Sequence, residues 1–251
     1  MKNKFTRVLV ITSCISPNTK LSDLSKFTIE NRAKELVVNI KSVYESKLFK
    51  KIIVVDASPK NSLPKNDTLK NYLKCHGGLD TKEIQYVNFH PKKELKQQIY
   101  LKGAGLSETK MMLYGLKKIK IQTNTIIFKL SGRYFIRNLI NVIRNIEELF
   151  SNDANFCMPI SEIFSKTSSI LYAFSDRFPI EIFEEICDKV SDSEGLYVEH
   201  LFYSEVFLNS FIKSQRMKLM PIYPYELEGG HNQGKYTRIK QLLNNIIFKY
   251  L

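Results

Sequence analysis

The stretch NTIIFKLSGRYFI, residues 124–136, decides how this chain reads. It opens as a short apolar run of the kind that forms a fully buried strand, introduced by turn residues. It closes on Ser131 and Gly132, and it carries Lys129, Arg133 and, one residue beyond, Arg137. Lys and Arg are rarely buried without a partner, and an unpaired buried charge is costly. So much positive charge beside a glycine at a strand end is either ordinary solvation or the wall of an anion site.

Similar runs recur upstream. RVLVITS (7–13) and KKIIVVDAS (50–58) read as buried strands, and IQYVNF (84–89) as a weaker one. Between them, NRAKELVVNIKSVYESKLF (31–49) has helical spacing, with Leu36, Ile40 and Val43 on one stripe. SLPKNDTLKNYLKC (62–75) suggests a short helix after a proline turn. LSETKMMLYGLKKI (106–119) reads as a helix that Ser107 is placed to cap, and RNLINVIRNIEELF (137–150) as another. Alternating strands and helices predict an α/β fold, a Rossmann-type mixed sheet flanked by helices in a single domain.

The second half is more mixed. NFCMPI (155–160) and SSILYAFS (168–175) suggest a smaller or antiparallel section, and PIEIFEEICDKV (179–190) a helix begun by proline. LYVEHLFYSEVFLNSFIKS (196–214) reads as one strongly apolar helix. The prolines of MKLMPIYPYELEG (217–229) are expected to break regular structure. GGHNQGKYTR (229–238) reads as a polar loop, and IKQLLNNIIFKYL (239–251) as an amphipathic helix. No internal repeat or linker marks a boundary. The simplest division is a nucleotide-binding half, 1–138, and a second half, 139–251.

The 251 residues carry 38 Lys and Arg against 25 Asp and Glu, a net charge of +13. Such a surface attracts polyanions: nucleic acid, acidic lipid or phosphorylated substrates. The four cysteines, Cys14, Cys75, Cys157 and Cys187, form no CxxC pair, which argues against a zinc ribbon or a disulfide framework. No run approaches the roughly 20 apolar residues that cross a bilayer. The reading is a reduced, cytoplasmic protein whose basic face is suited to rest peripherally on an anionic inner leaflet.

Ligands of open α/β sheets bind at the carboxyl ends of the strands. Three of those ends are polar: TSCISPN with Thr12 and Ser13, DASPKN with Asp56 and Ser58, and KLSGRYF with Lys129, Ser131, Gly132 and Arg133. Carboxylate and hydroxyls suit ribose or base donors, and the cations suit phosphate oxygens. LKGAGLSETK (101–110) adds Lys102, Gly103 and Gly105 before a helix, small residues at a helix start that can receive an anion. It is neither a Walker A loop nor a dinucleotide fingerprint. Glu108 there is either a capping carboxylate or a ligand to substrate.

The order KGAGLSE (102–108), KLSGRYF (129–135) and YVEHLFYSEV (197–206) resembles bacterial glycosyltransferases of capsule and lipopolysaccharide synthesis. These are GT-A-like enzymes whose sequences read K-G-x-G-x-x-E and then K-x-[ST]-G-R-Y. The resemblance runs from about Val8 to Val206. It implies a nucleotide-sugar donor, UDP-linked by preference and CMP-linked as the other choice, bound by the first half. It implies a glycan or lipid-linked acceptor in the second half, and a carboxylate base at Glu199 with His200 orienting it or touching phosphate. Asp56 is the other candidate carboxylate. His231 and Lys235 lie in a loop of the kind that closes over a nucleotide.

The chain departs from the GT-A pattern where an Asp-x-Asp would hold a divalent metal: SGRY stands there. Lys129 and Arg133 are then expected to offset the leaving phosphate's charge in place of Mg²⁺ or Mn²⁺, with no metal ligand assigned. The competing classes are a nucleic-acid binder or nuclease, for which the cations are scattered and no recognition motif is present, and a methyltransferase, for which the first turn lacks glycine. The expected partner is therefore a nucleotide sugar and not nucleic acid.

Overall fold

The computed structural model describes residues 5–15, 28–59, 69–79, 82–161, 166–167, 169–208, 219–221 and 227–229. In chain order the elements are β1 (Thr6–Ser13), α1 (Ile29–Glu45), β2 (Lys51–Asp56), α2 (Leu69–Gly77), β3 (Ile84–Asn88), α3 (Lys93–Lys102) and α4 (Ala104–Leu116). Then come β4 (Thr125–Ser131), β5 (Tyr134–Ile136), α5 (Leu139–Ser151), β6 (Phe156–Met158), β7 (Ile160–Ser161), β8 (Lys166–Thr167), β9 (Leu171–Ser175) and α6 (Glu181–Lys189). A 3₁₀ turn (Asp192–Glu194), α7 (Val198–Leu201), a π-helix (Phe202–Leu208), β10 (Leu219–Pro221) and β11 (Leu227–Gly229) follow.

Seven of these strands form one sheet in the order β10-β6-β9-β4-β1-β2-β3. β1 pairs in parallel with β2 and β4, and β2 with β3. β9 runs antiparallel to both β4 and β6. The fold is thus α/β: a Rossmann-type mixed sheet with helices on both faces.

The period of two along a strand divides the core. Leu9, Ile11, Ile52, Val54, Ile126, Phe128 and Leu130 face α1, α2 and α5, where Leu36, Ile40, Leu73, Val142 and Ile146 cover them. Val10, Ile53, Val55 and Ile127 face the other way, under Met112 and Leu116 of α4 and Phe183 and Ile186 of α6. The second face is aromatic: Phe156 packs on Phe178 with centroids 4.7 Å apart and stacks on Tyr172 at 5.7 Å. Lys129, in this alternation, faces α4 among apolar neighbours.

Several local expectations are corrected. α4 begins at Ala104, so Ser107 lies inside it and donates to the Met111 sulfur at 3.9 Å instead of capping. The apolar helix from residue 196 is α-helical only over Val198–Leu201 and continues as a π-helix. The wider turn brings residues four apart into line, so Phe202 and Val206 are both buried while Glu205 meets Lys189 at 2.7 Å. Proline does not exclude a strand near residue 221: Pro221 ends β10, an edge strand, where a missing N–H costs no ladder bond. The sequence reading leaves out helix α3, which buries no residue fully and packs on the core through Leu95 and Ile99. The expected helix over 239–251 lies outside the described residues.

Candidate functional site

Chain order reverses at the middle of the sheet. From β1 the chain steps outward to β2 and β3, then returns to place β4 on β1's other side. That reversal opens a crevice at the carboxyl ends of β1 and β4. Ser13 pairs with Asp56 in the register, and Thr12 with Ser131, so the three polar strand ends lie side by side.

Alternation turns Thr12, Lys129 and Ser131 toward α4, and α4 turns Glu108 toward them. Glu108 Oε1 accepts from Ser131 Oγ at 2.6 Å, from Thr12 Oγ1 at 3.2 Å, and from Lys129 Nζ. Burial alone would raise the Glu108 carboxyl's pKa. The Lys129 charge, with hydrogen bonds from Lys129, Ser131 and Thr12, outweighs that and holds it below the usual carboxylate value. Lys129 is fully buried, whereas the Glu108 side chain keeps 29% of its surface. All three contacts fall on Oε1, so Oε2 is the carboxylate oxygen on the open side.

Lys129 corrects the sequence reading. Its ammonium donates to Glu108, to Ser131 Oγ at 2.9 Å and to the Ser169 carbonyl. An ammonium has three N–H donors, and all are taken. The cation expected to meet phosphate instead pins the end of β4 to α4 and to the segment entering β9.

Guanidinium charge lies near the ends of β1 and β2. Burial lowers the Arg32 pKa first and the nearby Arg133 charge lowers it further, the Cys14 and Glu35 acids pulling the other way. Burial, with the Asp56 carboxylate, pushes the Cys14 thiol up to about 12 against the pull of Arg32 and Arg133. These couplings group Arg32, Arg133, Cys14 and Asp56 around the ends of β1 and β2. Arg32 Nη1 donates to the Cys14 carbonyl at 3.2 Å.

Gly132 makes that grouping possible. Its N–H donates to the Thr12 carbonyl at 2.8 Å, and its carbonyl accepts from Asn39 Nδ2 at 3.1 Å. A Cβ there would stand 2.7 Å from Leu36 Cδ1 and 3.2 Å from the Thr12 carbonyl oxygen. Glycine lets the chain cross this closely over β1 beneath α1 without displacing Leu36.

Asp56 is buried at the end of β2. Its oxygens accept from Ser58 N at 3.2 Å and Ser58 Oγ at 3.1 Å, and Ser58 Oγ in turn receives Ile15 N at 2.9 Å. Desolvation exceeds these hydrogen bonds, and with that of Ser13, and raises the pKa from 3.8 to about 6. A raised carboxyl favours the fold fully below pH 4 and loses that contribution as pH climbs through 6. The loss is roughly 3 kcal/mol. Urea midpoints of D56N are therefore expected to gain on those of the parent between pH 4 and 7; curves that stay parallel would contradict the assignment.

Other expected site residues lie elsewhere in use. Lys102 Nζ donates to the Asp188 carbonyl at 2.7 Å. Gly103, at φ +104°, and Gly105 meet Asp192: Gly105 N donates to its Oδ2 at 3.2 Å, and a Cβ on Gly103 would overlap that oxygen at 2.3 Å. The α4 N-terminus expected to take a ligand anion is taken by the chain's own carboxylate. Glu199 accepts from Ser169 Oγ at 2.6 Å, and the Ser169 carbonyl is the one Lys129 holds. His200 is exposed and packs edge-on to Tyr197 at 5.6 Å, because consecutive helical residues point about 100° apart. Ser169, not His200, orients Glu199. His231 and Lys235 lie outside the described residues.

Sequence reasoning missed Arg32, Asn39, Ser169 and Asp192. Arg32 and Asn39 left a signal, since both sit on the stripe of Leu36, Ile40 and Val43, where polar residues need a purpose. Among the described residues no three His, Cys, Asp or Glu side chains gather as a metal site requires. No described helix is long and apolar enough to cross a membrane.

No family model matches the chain, and no curated protein matches it. Among solved structures it is similar to 4-diphosphocytidyl-2C-methyl-D-erythritol synthase from Anaerococcus prevotii, at 15% identity and TM-score 0.45, over 98% of this chain and 97% of that one. A protein from Desulfovibrio desulfuricans G20 described as a nucleotide-diphospho-sugar transferase matches at 9% identity and TM-score 0.47, over 86% and 79%. The mannosyltransferase PcManGT from Pyrobaculum calidifontis, in complex with GDP-Man and Mn²⁺, matches at 11% identity and TM-score 0.49, over 97% of this chain and 64% of that one. Likeness at this level says nothing of the chemistry.

Proposed function

We propose that this chain is a transferase that moves a glycosyl group from a nucleotide-sugar donor to a bacterial surface-glycan acceptor. The observation that carries the reading is the crevice between β1 and β4, with a buried carboxylate, hydroxyls and the Arg32 and Arg133 guanidiniums around it. Guanidiniums suit the oxygens of a diphosphate, and the Asp56–Ser58 turn suits ribose or base donors. In this reading the first half, 1–138, binds the nucleotide, UDP by preference and CMP as the other choice. The second half, 139–251, presents the acceptor, a glycan or lipid-linked saccharide of capsule or lipopolysaccharide type. The site then works in the cytoplasm, against the inner membrane.

The acceptor hydroxyl oxygen attacks the anomeric carbon and its proton passes to a carboxylate oxygen of Glu199. The bond from that carbon to the donor phosphate oxygen breaks with its electron pair, and the departing charge is met by Arg32 and Arg133. Attack opposite the leaving group inverts the anomeric centre. Ser169, itself gripped by Lys129, fixes the orientation of the Glu199 carboxylate.

The test is nucleotide release from a panel of UDP-, CMP- and GDP-sugars, with calorimetric titration of each nucleotide. With the donor that turns over, E199Q is expected to lower kcat about 10²- to 10³-fold while donor affinity stays within about threefold. A variant that keeps full turnover removes Glu199 from the reaction, and a panel with no binding at all removes the donor class.

A further inference from the structure

Four of the seven exposed large hydrophobic side chains among the described residues lie on two stretches that the fold makes neighbours, the end of α3 and the loop after Asp192. Tyr100 is 50% exposed and Leu101 67%, at the end of α3; Leu196 is 44% and Tyr197 47%, in the loop that enters α7. Ser193 Oγ donates to the Leu101 carbonyl at 3.0 Å, and Asp192 holds Gly105. Ser191 and Leu196 exchange backbone hydrogen bonds, closing the loop tightly over this junction. The stretches that carry the two apolar pairs are therefore tied to each other by the fold. Lys92, Lys93 and Lys96 are exposed along α3, with Glu94 as the acidic residue among them and Glu194 exposed on the loop. Lys93, Lys96 and Tyr100 fall on one helical face by their spacing.

Tyrosine and leucine rimmed by lysine is the chemistry of a membrane interface. The apolar bodies enter the acyl boundary, the phenols stay at the headgroups, and the ammoniums meet anionic lipid. An apolar cluster of this kind on a water-exposed surface marks an interaction site. We propose that this end of the molecule docks on an anionic lipid bilayer through Tyr100, Leu101, Leu196 and Tyr197, with Lys92, Lys93 and Lys96 as its electrostatic anchor. The net charge of +13 favours the same partner. That a lipid bilayer also carries the acceptor rests on the function proposed above; the docking itself does not.

The experiment is co-sedimentation of the full chain with vesicles of phosphatidylcholine alone and of phosphatidylcholine with a quarter phosphatidylglycerol, in 0.1 M and 0.5 M NaCl. Binding to the anionic vesicles that weakens in high salt is expected. K92Q/K93Q/K96Q should weaken it about a hundredfold, at roughly fivefold per lysine. L101Q/Y197S should weaken it at least tenfold, with the melting temperature and nucleotide affinity of both variants unchanged. No binding to anionic vesicles overturns the proposal, as does binding that neither variant alters. Loss of a dimer in L101Q/Y197S, seen by light scattering with vesicle binding intact, also overturns it and gives the patch to a second copy of the chain. Nucleotide titration reads the proposed function separately, so neither failure passes for the other.

Discussion

Replacing Glu108 with glutamine is expected to cost about 3–5 kcal/mol of stability, the penalty for stranding a buried charge. Lys129 is the partner with no exposed surface, so its ammonium has no water to turn to once the carboxylate is gone. Lys129→Met should cost less, because Glu108 keeps 29% of its side chain in contact with solvent. It still loses the bonds to Ser131 and the Ser169 carbonyl. The double variant E108Q/K129M should recover much of the loss, since neither charge then needs a partner. Urea unfolding of the three variants measures this. An E108Q chain within 1 kcal/mol of the parent would show that the pair is not what secures α4 to β4.

The second large effect concerns Arg133. R133Q is expected to weaken nucleotide-diphosphate binding about 10- to 100-fold, the scale of one or two hydrogen bonds to a charged group. Removing its charge also relieves Arg32, whose guanidinium it repels. Thermal melts of the ligand-free R133Q chain separate a loss of affinity from a loss of fold. R133K keeps the charge but not the planar fork, and should recover only part of the affinity. R32Q should follow R133Q in affinity, but it gives up the bond to the Cys14 carbonyl and should melt lower. Calorimetric titration with UDP, CMP and GDP, beside thermal melts without ligand, decides the matter. An R133Q chain that binds as tightly as the parent would detach the crevice from the nucleotide.

The sheet was legible because its strands are short apolar runs ending in turn residues, and those runs are β1, β2 and β4. Their adjacency follows from parallel pairing, which a single chain order permits in few ways. The charges at the strand ends were harder to read. Lys129 and Arg133 are four residues apart in sequence and look alike there. Strand alternation sends Lys129 under α4, and Gly132 frees Arg133 to turn over β1. Nothing local says that a glutamate 21 positions upstream waits for the lysine. Asp192 and Ser169 act through contacts 87 and 40 residues distant in sequence. Such pairings depend on the finished packing and leave no periodic trace. Arg32 did leave one, as a cation on a greasy helical stripe.

The cap on α4 has a consequence for how the chain is held together. Asp192 arrives from far downstream to finish a helix whose own sequence supplies no capping side chain at Gly103. Ser169 arrives in the same manner to quiet Lys129. The end of β4 and the start of α4 are thus completed by parts from the chain's second half, so the two halves fold as one unit.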